Sequence, residues 1–498
     1  MTLVLAACAS ALTTNIWTAS SSRFMYPPKL EFRTLRDATD AICEVAGANG
    51  TTQTVACAGG VLDLAQVWDA LPVGYVHLIA RANGGKEEKR FFWKKAAFKD
   101  GAYDKATCSY GECAAKCFRY LMDMPAIRHL AEKGEPDPSY HLNCYPNKMC
   151  QSLISGFVHH AAKRPEDAAR SLRIARQAAD WLISVSEKDG APLAGFPPTY
   201  WGDKFTAKAY AGQIMLCYPC VAASAYVALA KATDEDKYLD AAKKIAEVYL
   251  RLQGEDGTWP LKLAAKDGKS VCPNRLMPLC VIDMFETLFA KTGDERYRAA
   301  ADRAFGYLEH GPMVDWNWEG QFEDVRPSGK YYNLTKHNVC SSAIYALKRF
   351  PGEKKWIDFA KDAERFSEDQ FIDWEVPYGV NNPPVWGPFA NKKWQNQFAG
   401  WHCPAVMEQY ECYVPVDASA AKLIRLYLAL YKATSEDIYL KKARTLGDQA
   451  TVIQRKDGSI PTWWGSKTPG NGDWINCMIA TAQALEQLSD ACLPPSAP

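Results

Sequence analysis

Four stretches of this chain are variations on one pattern: KATDEDKYLDAAKK (231–244), KTGDERYRAAADR (291–303), FPGEKKWIDFAKD (350–362) and KATSEDIYLKKAR (432–444). Each sets a turn signal, acidic residues, one aromatic and a helical run in the same order. The aromatics are Tyr238, Tyr297, Trp356 and Tyr439. Thr, Ser or Gly followed by acids reads as a helix start, with a capping side chain and negative charge on the positive end of the helix dipole. Ahead of the turns lie AASAYVALA, VIDMFETLFA, SSAIYALKRF and AKLIRLYLALY. These are apolar around most of their circumference and so predict helices buried on most sides. The runs after the turns are amphipathic. Each unit is therefore a buried inner helix, a tight turn and a half-exposed outer helix, an αα-hairpin repeated at long period.

Eighteen residues past each aromatic stands a second landmark: Asp256 of DGTWP, Asp315 of DWNW, Trp374 of DWEVP and Asp457 of DGSIPTWW. Equal helix lengths deliver these loops to one end of the assembly, where the connections are long and function collects. Further helices are predicted at about 107–123, 147–162, 166–187, 213–232 and 474–490 from the same periodicity. The fold class is all-α, an (α/α)6 or (α/α)7 barrel spanning 106–492. Residues 26–105, with mixed short runs and Gly-rich turns, read as a small N-terminal elaboration. Residues 1–25 read as an export or lipoprotein-like leader, with Cys8 in a cleavage-box context that offers a lipid anchor. The expected location is outside the cytoplasm: periplasmic, cell-surface or secreted.

The charge balance excludes one class of partner. Lys and Arg number 58 against 57 Asp and Glu, so no basic surplus points to nucleic acid. No later segment reaches the roughly 18 apolar residues of a membrane span. The 16 Trp and 24 Tyr fit either a large core or platforms for sugar rings, whose faces are apolar. The 17 cysteines lack the doubled short spacing with His that marks a zinc site. Most lie among apolar helix residues, where core thiols are expected, disulfides being the alternative; no metal or cofactor is implied.

The stretch DWNWEGQFEDVRPSGKYYNLTKHN (315–338) is too polar for a core strand and too aromatic for a solvated loop. Two chemistries fit it. Hydrolysis of a glycosidic bond needs two carboxylates about 5 Å or about 6.5–9.5 Å apart; Glu319, Glu323 and Asp324 are candidates, with Asp256 and Glu408. β-Elimination on a uronic acid needs cations or amides on the sugar carboxylate, a base and an acid. Tyr331, Tyr332 and His337 would be the proton carriers, and Arg326, Asn333 and Lys336 the carboxylate binders. Arg275, Trp201, Trp259, Trp318, Trp401 and His402, with Glu319 and Glu323, complete the expected binding surface for a polysaccharide or oligosaccharide. A glycan-binding module without activity would account for the tryptophans but not for the Tyr–His–Arg set.

Hairpin repeats, DG-x-W loops and an aromatic mouth over roughly 106–490 resemble the α/α-barrel carbohydrate-active enzymes. The likeness is strongest to single-domain polysaccharide lyases of the family 38 kind, since the chain ends just after its last helix and no added β-sandwich is expected. The resemblance implies cleavage of a glucuronan- or alginate-like polymer by β-elimination, without a cofactor, using Tyr and His with carboxylate-binding Arg or Asn. An α/α-barrel glycoside hydrolase is the alternative. The acidic half of the stretch departs from what a polyanion site favours, because Glu319, Glu323 and Asp324 repel a uronate unless cations pair with them.

Overall fold

The computed structural model describes residues 23–326, 329, 333–375, 403–409, 412–463 and 473–493. The chain forms two compact units, one of Met1–Lys105, Val314–Trp318 and Lys330–Gln449, the other of Ala106–Met313, Glu319–Gly329 and Ala450–Pro498. The helices in chain order are α1 (Tyr110–Asp123), α2 (Pro125–Lys133), α3 (Pro146–Lys163), α4 (Ala168–Ser184), α5 (Pro219–Thr233), α6 (Asp236–Leu252), α7 (Leu279–Thr292) and α8 (Glu295–His310). They continue with α9 (Pro312–Asp315), α10 (Lys336–Arg349), α11 (Lys354–Phe371), α12 (Asp417–Thr434), α13 (Asp437–Ile453) and α14 (Ile475–Cys492). No helix among the described residues is long and apolar enough to cross a membrane.

In the second unit α14, α3, α5 and α7 pack side by side as inner helices, backed by α1, α4, α6 and α8. In the first unit α10 and α12 are neighbours and α11 backs both. The four repeat aromatics are all buried at the start of their outer helices. The turns between inner and outer helices work differently from the expected N-caps. Asp234, Gly293 and Ser435 take left-handed conformations that end α5, α7 and α12. Thr233, Thr292 and Thr434 each donate a hydroxyl to the carbonyl four residues back, at 2.9, 2.8 and 2.8 Å. Of the acids that follow, Asp294 caps its helix with its side chain, accepting from Arg296 N. The turn signal thus closes the inner helix more than it opens the outer one.

The second landmark also has a physical meaning. After α6 and after α13 the chain repeats one device. Asp256 accepts from Thr258 N and Asp457 from Ser459 N, closing two Asx turns. Gly257 and Gly458 sit at φ +85° and +93°, where a Cβ would overlap the carbonyls of Arg303 in α8 and Lys116 in α1. Gln253 and Gln454 clamp each turn, donating to the glycine carbonyl and to Ala300 O or Cys113 O of the same outer helices. The DG dipeptides are packing devices between hairpins.

The N-terminal residues of the first unit are β-structured. Strands β1 (Arg23–Phe24), β2 (Lys29–Glu31), β3 (Ile42–Gly47), β4 (Thr52–Ala56), β5 (Val61–Asp63), β6 (Gly74–Arg81) and β7 (Glu87–Lys94) form a sheet of order β1-β7-β6-β3-β4 and a β2–β5 pair. β6 alternates buried and exposed residues, giving the sheet one apolar face over Phe32, Val45, Leu62 and Phe92. In the second unit β8 (Gln213–Met215) pairs antiparallel with β9 (Lys262–Ala264). This strand and Pro219 explain why the helix predicted from 213 begins at 219: proline opens it at N1. Strands β10 (Ile372–Asp373), β11 (Ala405–Gln409) and β12 (Cys412–Pro415) make a small antiparallel sheet in the first unit. Cys43, Cys57, Cys113, Cys117, Cys144, Cys150, Cys220, Cys340 and Cys477 are buried free thiols, as core packing predicts.

Candidate functional site

The densest polar cluster of the second unit gathers at the N-terminal ends of its inner helices. Two of these helices open on the same tripeptide, Cys144-Tyr145-Pro146 at α3 and Cys217-Tyr218-Pro219 at α5. In each the tyrosine stands at the cap position and proline pre-sets the first turn. One turn of α3 brings Lys148 to the same level.

Glu323 is the hub. It is 1% exposed, and its carboxylate receives Lys148 Nζ at 2.5 Å and the Tyr218 hydroxyl. Its carbonyl accepts from Tyr200 Oη at 3.0 Å and from Thr206 Oγ1 at 3.4 Å, and Thr206 in turn meets Tyr145 Oη at 3.0 Å. Burial pushes the Glu323 carboxyl up, but the Lys148 charge and the bonds from Lys148 and Tyr218 outweigh it and hold the group ionised below the usual carboxylate range. Lys148, against its own burial, is held protonated by Glu323 and Asp324, and its ammonium also lies 4.7 Å over the ring of Trp474, the cap residue of α14.

Asp324, next in the chain, has the opposite fate. Its edge is open to solvent, yet protein crowds the carboxyl. That desolvation first, and the Glu323 charge second, push it up to about 6. Two adjacent carboxyls with titrations driven apart are the arrangement acid–base chemistry uses. Opposite them lies Lys262 on β9, opposite Met215 of β8 in the ladder. Its ammonium is buried, has no hydrogen-bond partner, and sits 3.9 Å over the Tyr210 ring and 5.5 Å from that of Tyr200. Burial lowers its pKa, against the pull of Cys272, Cys217, Glu323 and Asp324.

The residues expected from sequence distribute unevenly around this cluster. Glu323 is in it. Glu319 lies in the same loop but accepts from Asn274 Nδ2 at 2.6 Å and Gln321 Nε2 at 3.1 Å, knitting that loop to the residues before α7. Arg275 is paired with Asp256 at 2.5 Å and bonds Thr258 O, so both ends of that pair hold the Asx turn. Arg326 is exposed three residues past Glu323. Trp201 is 49% exposed, edge-on to Trp181, and offers an open ring. Trp259 and Trp318 do not: both are fully buried, Trp259 donating to Tyr249 O and Trp318 packing on Trp316 and Phe359, so neither faces a sugar.

The elimination set in the first unit is also reassigned in part. Lys336 is buried and donates to Met407 O at 2.5 Å and Glu408 O at 3.4 Å; burial brings its pKa down to about 7. Asn333 donates to Gln409 Oε1 at 2.8 Å. Both secure the entry to α10 against β11. His337 is half-buried in the first turn of α10, its backbone N–H on Thr335 Oγ1. Tyr331, Tyr332, Trp401, His402 and Cys8 lie outside the described residues. Sequence reasoning passed over Lys148, Tyr145 and Tyr218. The repeated Cys-Tyr-Pro was the available signal: a proline that starts a helix puts the preceding tyrosine at its mouth. A surface depression of ≈ 370 Å³ lined by Asp256, Gly257, Arg303, Tyr307 and His310 shares no residue with the cluster.

No protein-family model and no curated protein matches the chain. Solved structures do. The cellobiose 2-epimerase of Spirochaeta thermophila aligns over 77% of this chain and 97% of its own, at 14% identity and a TM-score of 0.54. A D-mannose isomerase aligns over 77% and 99%, at 13% identity and 0.52. A sugar epimerase from a ruminal bacterium aligns over 76% and 99%, at 12% identity and 0.50. The likeness shows the fold. It is the all-α, α/α-barrel class, and at these identities no residue's role is carried across.

Proposed function

We propose that the chain is a carbohydrate-active enzyme, a polysaccharide lyase that cleaves a glucuronan- or alginate-like uronic-acid polymer by β-elimination, and that it is exported. The observation that carries this reading is the fate of the carboxylates. Hydrolysis needs two that reach the glycosidic bond. Glu323 is locked beneath Lys148 and Tyr218, Glu319 is tied to Asn274 and Gln321, and Asp256 to Arg275. Asp256 and Asp324 both keep an exposed edge, but Asp256 is tied to Arg275 and to its own turn. Elimination asks for less: a cationic environment for the sugar carboxylate and two proton carriers. Two lysines and four tyrosines surround Glu323 and Asp324, and Arg326, Tyr331 and Tyr332 follow within nine residues of Glu323 in the chain.

The steps balance without a cofactor. Cations on the uronate carboxylate acidify the C–H beside it. Tyr331 or Tyr332, as its phenolate, takes that proton, the electron pair becomes the new C=C bond, and the bond to the glycosidic oxygen breaks. His337, the partner expected of the tyrosines, returns a proton to the leaving oxygen as the imidazolium. The relatives of known structure that share the fold are named for acting on sugars, which agrees with a carbohydrate substrate. A hydrolase is the second reading, favoured by Asp324 beside an ionised Glu323. A polyuronate panel separates the two. Ultraviolet absorbance from the unsaturated product supports elimination, and new reducing ends without it support hydrolysis. Tyr332→Phe should abolish the absorbance change; survival of activity in both Tyr331→Phe and Tyr332→Phe removes the tyrosines from the mechanism.

A further inference from the structure

Four lysines among the described residues are almost wholly buried: Lys95, Lys262, Lys336 and Lys442. Burying an ammonium is costly unless acceptors replace its water. Three of the four have them. Lys95 bonds Glu368 O and pairs with Asp373, Lys336 has two backbone carbonyls, and Lys442 pairs with Glu364 and Glu368. Lys262 has none. Its ammonium is screened by the faces of two tyrosines, and Glu323 and Asp324 act on it only through space. The backbone gives it no freedom to escape, because β9 is fixed to β8 and Lys262 O accepts from Val271 N at 3.1 Å. A chain that equips its other buried lysines and leaves this one bare beside an acid–base pair has left room for an acceptor from outside.

We infer that Lys262 is the specificity residue that binds the carboxylate of an acidic sugar, with the half-buried ring of Tyr210 as the cover the sugar displaces. The inference rests on the lyase reading for the polymer but not for the binding itself. An anion fits better than a neutral hydroxyl. It supplies both the counter-charge and the acceptors, and a charge-assisted bond is about twice as strong as a neutral one. Glu323 is already engaged by Lys148 and Tyr218, and neither it nor Asp324 is hydrogen-bonded to Lys262.

The test measures binding of free D-glucuronate and D-galacturonate against D-glucose to the full chain by ligand-observed NMR. The wild type should prefer the uronates by about tenfold or more, the equivalent of one charge-assisted contact. Lys262→Met should erase the preference while binding glucose as before, and Lys262→Arg should restore part of it. Lys262→Met should also melt no lower than the wild type, because it removes an unpaired buried charge. A merely structural lysine would give the reverse: a lower melting temperature and an intact preference. The inference falls if the wild type does not discriminate, or if Lys262→Met still does. If discrimination depends on Lys262 but no polyuronate yields unsaturated product, the lyase reading falls and Lys262 keeps its assignment. If product forms and Lys262→Met makes it with the wild-type kcat/KM, the lyase reading stands and this inference is overturned.

Discussion

Glu323 and Asp324 share a peptide bond and almost nothing else. One carboxylate is buried under a lysine and a tyrosine and stays ionised; the other keeps an open edge and titrates near 6. The difference makes a rate prediction. Asp324 holds its proton below about 6, so a step that needs it as an acid should lose rate as pH rises through that value. If the reaction is hydrolysis with Asp324 as its acid, Asp324→Asn should lower kcat by about 100-fold and remove that limb of the profile; an unchanged limb assigns the titration elsewhere. Glu323 makes a stability prediction. Glu323→Gln removes the carboxylate paired with Lys148, leaving Asp324 alone to balance the ammonium, and should cost about 3 kcal/mol, read by urea denaturation. The double variant Lys148→Met, Glu323→Leu should recover much of that stability without recovering activity, because a buried pair can be replaced by apolar groups where a site cannot. Equal loss in single and double variants would mean the pair is not the source.

At the scale of elements, what the sequence makes legible depends on how local its cause is. Hairpins were legible, because a 3.6-residue period and the turn signal inside each hairpin are written in consecutive letters. Aromatic direction was not. Trp201 and Trp259 each lie beside a proline or glycine in a loop at the same end of the fold, yet one is open and the other is sealed against Tyr249 and Phe285. The 18-residue landmark gives the level of a residue along a hairpin and not the side it faces. The two rings should therefore separate in experiment. Trp259→Ala should cost about 3–5 kcal/mol, like other buried aromatic truncations. Trp201→Ala should change stability by no more than about 0.5 kcal/mol and instead weaken retention on polysaccharide in affinity electrophoresis. The DG turns make a sharper claim, since Gly257→Ala and Gly458→Ala each drive a methyl into a neighbouring helix carbonyl at a left-handed φ. Each should lower the melting temperature, while Gly190→Ala, at a left-handed φ with open space around it, should lower it less. Equal losses at the three sites would attribute the whole effect to backbone conformation.

At the scale of the whole chain, the contacts that sequence reading could not reach are those closed over hundreds of residues. Arg23 meets Asp373 at 2.5 Å, Met25 N meets Asp369 at 2.7 Å and Tyr26 Oη meets Glu368 at 2.5 Å, all within the first unit. The acids Glu368 and Asp369 of α11 are buried, and Tyr26 and Met25, some 340 residues earlier in the chain, supply their partners. Their crowding has a thermodynamic consequence. Glu364 and Glu368 share Lys442, one ammonium between two buried carboxyls. Only one carboxylate is balanced, so Glu368 stays ionised while burial, and then the Glu368 charge, push Glu364 up to about 8. In the unfolded chain Glu364 titrates at about 4.3. Between those values the folded chain keeps a proton that the unfolded chain has lost, so this group stabilises the fold fully at low pH and progressively less as pH rises towards 8. The slope is at most about 1.4 kcal/mol per pH unit. Glu364→Gln imitates the protonated form at every pH and has no such slope. Denaturation midpoints of the two proteins at pH 5, 6 and 7 should therefore converge or cross, with the variant gaining on the wild type at each step. Parallel curves would mean that Glu364 is ionised in the folded chain and that Lys442 balances both acids.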